Sequence, residues 1–277
     1  TVCLMQVCAV SPKEGTMGRL DNQRVLITGA GSGIGAGFAH GLALEGATVG
    51  IVDLNLDHAE KVASEILEAG GKAIALLADV AERSQVQDAI AKFVNFAGGL
   101  DVMFNNAGFN KPMPLLEVTE ENFNAIMNVN GLGVLIGIQE AAKVMIAQGS
   151  GGKIINTSSI AGRQGYPDFA PYCASKFAVN ALTQAAARGL AEHGITCNSF
   201  SPGVVDTPLW VTLDRDLIEM GSTKTPGQAI DEFSADILMG RPALAEDLLG
   251  TAMFLASKDS DYMTGQTVMI DGGKVLL

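Results

Sequence analysis

From Arg24 onward the chain alternates short, almost unbroken apolar runs with amphipathic stretches of helical length, and this rhythm constrains the fold more than any other feature. Strand-like runs fall at 25–28, 48–52, 73–77, 102–105, 153–157, 196–201 and 267–270; helical patterns fall at 35–45, 56–69, 83–97, 120–147, 172–192 and 246–256. A run such as Val25-Leu26-Ile27, with no polar alternation, is a strand covered on both faces. That calls for a parallel sheet between two helical layers. No Pro-, Gly- or Ser-rich linker and no repeat of 20–50 residues interrupts the pattern, so one domain is expected.

Bulk properties narrow the partners. The 33 glycines, 5% aromatic and 48% apolar content suit small β-branched strands covered by alanine-rich helices. A net charge of −12 argues against nucleic acid and anionic membrane surfaces. Cys3, Cys8, Cys173 and Cys197 form no C-x-x-C pair, and His40, His58 and His193 are scattered, so no metal site is expected. Residues 1–18 read as an extension, disordered or foreign to the domain, and 19–277 as the domain itself. The apolar start is too short to span a bilayer and lacks the basic flank of a signal peptide, giving a cytoplasmic expectation. The 206–240 stretch breaks the rhythm with Pro208, Gly221 and Pro226; it reads as a lid, or as a decorated connection.

Between the first strand and the first helix lies Thr28-Gly29-Ala30-Gly31-Ser32-Gly33-Ile34-Gly35. Glycines at 29, 33 and 35 let the backbone turn tightly and approach a pyrophosphate, whose charge meets the helix N-terminus beside Ser32 and Ile34. The sheet is therefore of the doubly wound, Rossmann type. Asp53 ends the second strand, where a carboxylate accepts hydrogen bonds from ribose hydroxyls and repels a 2′-phosphate; its other reading is a helix cap. Neither Ser32 nor Leu54 supplies a cation, so NAD is expected over NADP. Asp79-Val80 ends the third strand, within reach of an adenine amino group. Asn106, Ala107 and Gly108 follow the fourth, where small residues leave room for the adenosine.

Tyr172 and Lys176 are four apart on a helix and project from one face, thirteen residues after Ser159. An ammonium at that spacing is expected to lower the phenol from its ordinary value near 10, making the tyrosine a base for an alcohol. With a bound dinucleotide and a serine donor, this defines hydride transfer at a carbinol carbon. No cysteine nucleophile, Ser–His pair or metal cluster competes for the role.

The ordered set Thr-Gly-x-x-x-Gly-x-Gly at 28–35, Asn-Asn-Ala-Gly at 105–108, Ser159, Tyr172-x-x-x-Lys176 and Pro202-Gly203 resembles the short-chain dehydrogenase/reductase family, from about Leu20 to the C-terminus. The resemblance implies Tyr172 as acid/base, Lys176 on the nicotinamide ribose, Ser159 on the substrate oxygen, and Asn130 positioning a water for proton relay. Ser158 is expected to face the other side of the strand end. Segment 202–207 resembles the one that closes over the nicotinamide, with the Val205 backbone and Thr207 hydroxyl on the carboxamide. Thr207 also reads as an N-cap.

A substrate pocket is expected from Ala161, Gln164, Phe169, Gly203, Trp210 and the 206–240 segment, with Asn110, Lys111 and Arg163 within reach. Segments 203–210 and 261–266 are most similar to NAD-dependent polyol and acyloin dehydrogenases of sorbitol, galactitol and butanediol type. The competing readings are a 3-oxoacyl-(acyl-carrier-protein) reductase, disfavoured by Asp53 and the acidic charge, and a catalytically idle NAD-binding module. The family resemblance also implies a homotetramer, with 266–277 at one subunit contact.

Overall fold

Seven strands form one parallel sheet in a computed structural model that describes residues 18–276. The extension, Cys3, Cys8 and Leu277 lie outside the described residues. In chain order the strands are β1 (Arg24–Thr28), β2 (Thr48–Asp53), β3 (Lys72–Leu77), β4 (Val102–Asn105), β5 (Gly152–Thr157), β6 (Ile195–Pro202) and β7 (Thr267–Ile270). Their spatial order is β3-β2-β1-β4-β5-β6-β7, so the direction of winding reverses between β1 and β4. A crevice at the carboxyl ends of the strands opens at such a reversal.

Alternate strand residues feed two cores. Val25 and Ile27 face the layer made by α1 (Gly33–Leu44), α2 (Leu56–Glu68) and α9 (Ala245–Ala256). Leu26 faces the layer made by α3 (Arg83–Ala97), α5 (Gly133–Gln148) and α6 (Ala170–Leu190). Phe38 of α1 anchors the first core, its ring 5.7 Å from Phe104 and 5.5 Å from Phe200.

The long apolar pattern at 120–147 becomes α4 (Glu120–Met127), a π-helical turn (Asn128–Leu132) and α5, together one 29-residue helix, 120–148. It is apolar and long enough to cross a membrane, yet most of its apolar window is buried inside the fold. It serves as a core helix.

The irregular 206–240 stretch contains α7 (Pro208–Glu219) and α8 (Gln228–Ser234). They cover a third apolar cluster with Ala161, Phe169 and Cys173. Lys111 reaches across to the buried Asp216 of α7 at 3.1 Å, a charge contact rather than an aligned hydrogen bond.

Candidate active site

A cavity of about 530 Å³ runs along the carboxyl edge of the sheet, from Asp53 and Asp79 at one end to Tyr172 and Trp210 at the other. The glycine-rich turn forms its floor. Gly29 has φ +62°, and a Cβ there would lie 2.8 Å from the Ala107 Cα, so only glycine allows β1 and β4 to end this close together. Ser32 caps α1 in extended backbone with its side chain unbonded to the helix, leaving a hydroxyl and the first N–H groups of α1 for an anion. Ser32, Gly33 and Ile34 line the cavity; Gly35 does not. A Cβ on Gly35 would meet the Gly29 carbonyl oxygen at 2.3 Å, so this glycine lets helix and turn pack, a correction to its expected approach to a ligand.

The Asp53 carboxylate accepts the N–H of Gly31 at 2.8 Å and of Asn55 at 2.9 Å. Asn55, not Asp53, caps α2, accepting the His58 N–H at 3.3 Å. Asp53 is thus held at the cavity wall with lone pairs to spare. Asp79 accepts the Ala81 N–H through one oxygen at 2.9 Å, and Val80 lies beside it in the lining. Asn106 spends its side chain on bracing: its amide donates to the Thr28 and Gly29 carbonyls, and its oxygen accepts the Thr157 hydroxyl at 3.1 Å. Ala107 and Gly108 continue the wall.

At the far end Ser159, Tyr172 and Lys176 all line the cavity. Ser159 accepts the Ala161 N–H at 3.1 Å, which leaves its own O–H free to donate. The Ser158 hydroxyl donates to the Lys176 carbonyl at 3.2 Å, although the residue also lines the cavity beside Ser159. Burial pushes the Tyr172 phenol up to about 12, opposed by the Ser159 hydroxyl. Burial also brings the Lys176 ammonium down to about 8. In the protein alone burial sets the direction at Tyr172, and Lys176 is not among the groups that shift the phenol, so the expected lowering does not appear there. Asn130, fully buried in the π turn, accepts the Phe109 N–H at 3.0 Å and donates to the Phe109 carbonyl and the Ser175 hydroxyl. Its side chain acts as a brace for 108–110.

The end beyond Tyr172 is walled by rings. Phe169 stacks on Phe233 at 5.4 Å, and Trp210 and Tyr166 meet Phe233 at 5.7 and 6.3 Å. Ala161, Phe169, Gly203 and Trp210 line the cavity as expected, as does Asn110. Gln164 does not; it is exposed and donates to the Tyr166 hydroxyl at 2.7 Å. Arg163 and Lys111 also turn outward, toward the Thr267 carbonyl and Asp216. Within the 206–240 segment Leu213 and Phe233 were not singled out from sequence, since its weak periodicity gives no facing direction, and Tyr166 was missed in the irregular loop before α6. Pro202, Gly203, Val205 and Thr207 complete the roof. Ala243 donates to the Val204 carbonyl and accepts from the Asp206 N–H, which leaves the N–H and C=O of Val205 facing away from that bridge. Thr207 sits at the N-cap position of α7 but makes no capping bond, so its hydroxyl remains available.

The model of the short chain dehydrogenase family matches residues 23–217. The chain belongs to that family. A diacetyl reductase [(S)-acetoin forming] of Staphylococcus epidermidis is 39% identical over 92% of this chain and 99% of its own length. A sorbitol dehydrogenase of Cereibacter sphaeroides is 40% identical over 92% of this chain and 98% of its own. The crystal structure of levodione reductase matches with a TM-score of 0.87 and 32% identity, covering 92% of this chain and 98% of that one. The chain is accordingly a short-chain dehydrogenase/reductase, an oxidoreductase acting on CH–OH groups.

Dehydrogenases of this family use a nicotinamide cofactor, and the residues present fit one. The open N-terminus of α1 and the unbonded Ser32 side chain offer an anion site, and Asp53 offers acceptors beyond it. Near the reacting end a Cβ on Gly108 would lie 3.1 Å from Asn130 Oδ1 and 3.5 Å from Lys176 Nζ, so the absence of a side chain lets this segment pass close beside both. The cofactor, when bound, supplies the hydride acceptor or donor.

Proposed function

We propose that this short-chain dehydrogenase interconverts a secondary alcohol and its ketone with NAD(H), on a small vicinal diol, acyloin or sugar alcohol. The observation that carries the reading is the Tyr172 phenol at the cavity wall, flanked by Ser159 and backed by Lys176. Tyr172 gives a proton to, or takes it from, the substrate oxygen, while the Ser159 O–H donates to that oxygen and stabilises its developing charge. A phenol at about 12 is a proton donor at neutral pH, suited to ketone reduction. Alcohol oxidation asks for the phenolate, which positive charge beside the ring favours; Lys176, at about 8, is still mostly charged at pH 7. Any water relay at Asn130 would run through its main chain, because both ends of its side chain are bonded.

NAD over NADP is supported by Asp53, whose charge repels a 2′-phosphate, and by a lining in which Lys176 is the sole Lys or Arg among the described residues. The substrate class is supported by relatives named for diacetyl, acetoin and sorbitol. A homotetramer belongs to the same reading, resting on the family resemblance; sedimentation as a monomer would contradict it.

The test is initial rates in both directions over diacetyl, acetoin, 2,3-butanediol, sorbitol and galactitol, with NAD(H) and NADP(H) in parallel. Turnover of at least one of these, about tenfold or more better with NAD(H), is expected. Activity confined to NADPH and 3-oxoacyl substrates would replace the reading.

A further inference from the structure

The substrate end of the cavity combines an aromatic wall with one polar side chain that nothing among the described residues satisfies. Asn110 lines the cavity at 7% exposure, and its side-chain oxygen has no hydrogen-bond partner among the described residues. Other buried amides keep at least one bonded end, as Asn105, Asn122, Asn130 and Asn156 do here, although the Asn122 oxygen, outside the cavity, is also unpartnered. An orphaned one in a cavity wall is placed for a ligand.

Its position limits that ligand. Gly108, two residues earlier, passes beside Lys176 Nζ, and two residues of chain span at most about 7 Å. The segment is fixed on both sides of Asn110: Phe109 is clamped by Asn130, and the Met113 N–H donates to the Asp168 carbonyl at 2.9 Å. Asn110 is therefore held in the cavity wall at the end where Lys176 lies. Beyond it, the rings of Phe169 and Phe233 offer no partner for further hydroxyls, and the Trp210 indole N–H and the Tyr166 hydroxyl are the polar groups of that aromatic wall.

We propose that Asn110 is the specificity-determining residue of this chamber, and that it selects short compounds with two adjacent oxygens, an α-hydroxyketone with its diketone or diol, over sugar alcohols. The inference rests on the dehydrogenase reading above and narrows its substrate. One oxygen goes to Tyr172 and Ser159, the second to the Asn110 amide, and the remaining alkyl groups to the rings. A sugar alcohol brings more hydroxyls than the Trp210 and Tyr166 polar groups can satisfy, and the remainder lose water against aromatic faces.

The experiment compares diacetyl with 2-butanone, which has one oxygen fewer, and with sorbitol in the oxidative direction, in the wild-type enzyme and Asn110→Leu. The wild type is expected to favour diacetyl over 2-butanone, and butanediol over sorbitol, by about tenfold or more in kcat/KM. Asn110→Leu is expected to lower kcat/KM for diacetyl about tenfold while 2-butanone stays within about threefold. NADH affinity and Tm should hold, because the amide oxygen has no partner to lose among the described residues. Asn110→Ala, which adds no apolar branch, is read in the same way should Asn110→Leu fold poorly. Equal loss on both ketones, or a wild-type preference for sorbitol, would overturn the role of Asn110 while the dehydrogenase reading stands. A wild type inert toward every compound in both panels would overturn the dehydrogenase reading itself.

Discussion

Lys176 Nζ lies 5.6 Å from the centre of the Tyr172 ring, held there by the Thr157 carbonyl oxygen at 2.8 Å. The cost of burying that ammonium sets a pH dependence. The folded value of about 8 lies below the ordinary 10.5, so the penalty is full below pH 8. Between pH 8 and 10.5 the unfolded chain still holds the proton that the folded one has released, so stability rises with pH. The whole span is worth ~3 kcal/mol at most. Tyr172 acts oppositely: its folded value of about 12 lies above 10, so stability falls between pH 10 and 12. Denaturant unfolding at pH 7, 8, 9 and 10 should show the wild type gaining on Lys176→Met as pH rises. A constant difference would show that the ammonium is not desolvated.

Gly35 and Gly250 are both helical glycines with opposite surroundings. A Cβ on Gly35 strikes the Gly29 carbonyl at 2.3 Å, whereas one on Gly250 meets nothing within 4 Å. Gly35→Ala should cost about 1–3 kcal/mol and weaken NADH binding by shifting the turn. Gly250→Ala should be neutral or stabilising by up to ~1 kcal/mol. Thermal melts of the two variants check this; similar Tm changes would refute the packing role of Gly35.

The Lys111–Asp216 contact pins the inserted helices to the wall opposite. Asp216 is 3% exposed and Lys111 half-exposed, so Lys111→Ala leaves a buried carboxylate with only the longer Arg215 contact at 3.5 Å, at a cost of about 1–3 kcal/mol. Asp216→Asn removes the charge together with its need for a partner and should cost less. Limited proteolysis within 208–240 should be faster for Lys111→Ala; unchanged cleavage in both variants would show that the contact does not hold the segment.

How far the sequence could be read follows from where each signal resides. The strands were legible to within about a residue, because a parallel strand buried on both faces is apolar throughout, as Val25-Leu26-Ile27 is. The π turn at Asn128–Leu132 was not, since one extra residue barely disturbs a helical pattern. The spacing of Ser159, Tyr172 and Lys176 marked the reacting end, but the balance between burial and charge at Tyr172 depends on tertiary surroundings. Gln164 lies in an irregular loop, where no periodicity gives a direction, so its turn outward to Tyr166 was hidden. The facing of α7 and α8, and with it Phe233, was hidden for the same reason.

Asp53 holds its place through the Gly31 and Asn55 N–H groups. Asp53→Ala should lower the preference for NAD over NADP about tenfold or more, the scale of one charged hydrogen bond plus the removed repulsion. Parallel kcat/KM values for the two cofactors check this. An unchanged ratio would place the discrimination elsewhere.

The role of Tyr172 is tested most directly by Tyr172→Phe, measured in two ways on one preparation: NADH binding by fluorescence titration, and NADH oxidation with diacetyl. The expected result is a Kd within about threefold of wild type and a kcat about 10²–10⁴ lower, the range for loss of a general acid. Turnover near the wild-type rate with intact NADH binding would contradict Tyr172 as the proton donor, and with it the chemistry assigned to this site.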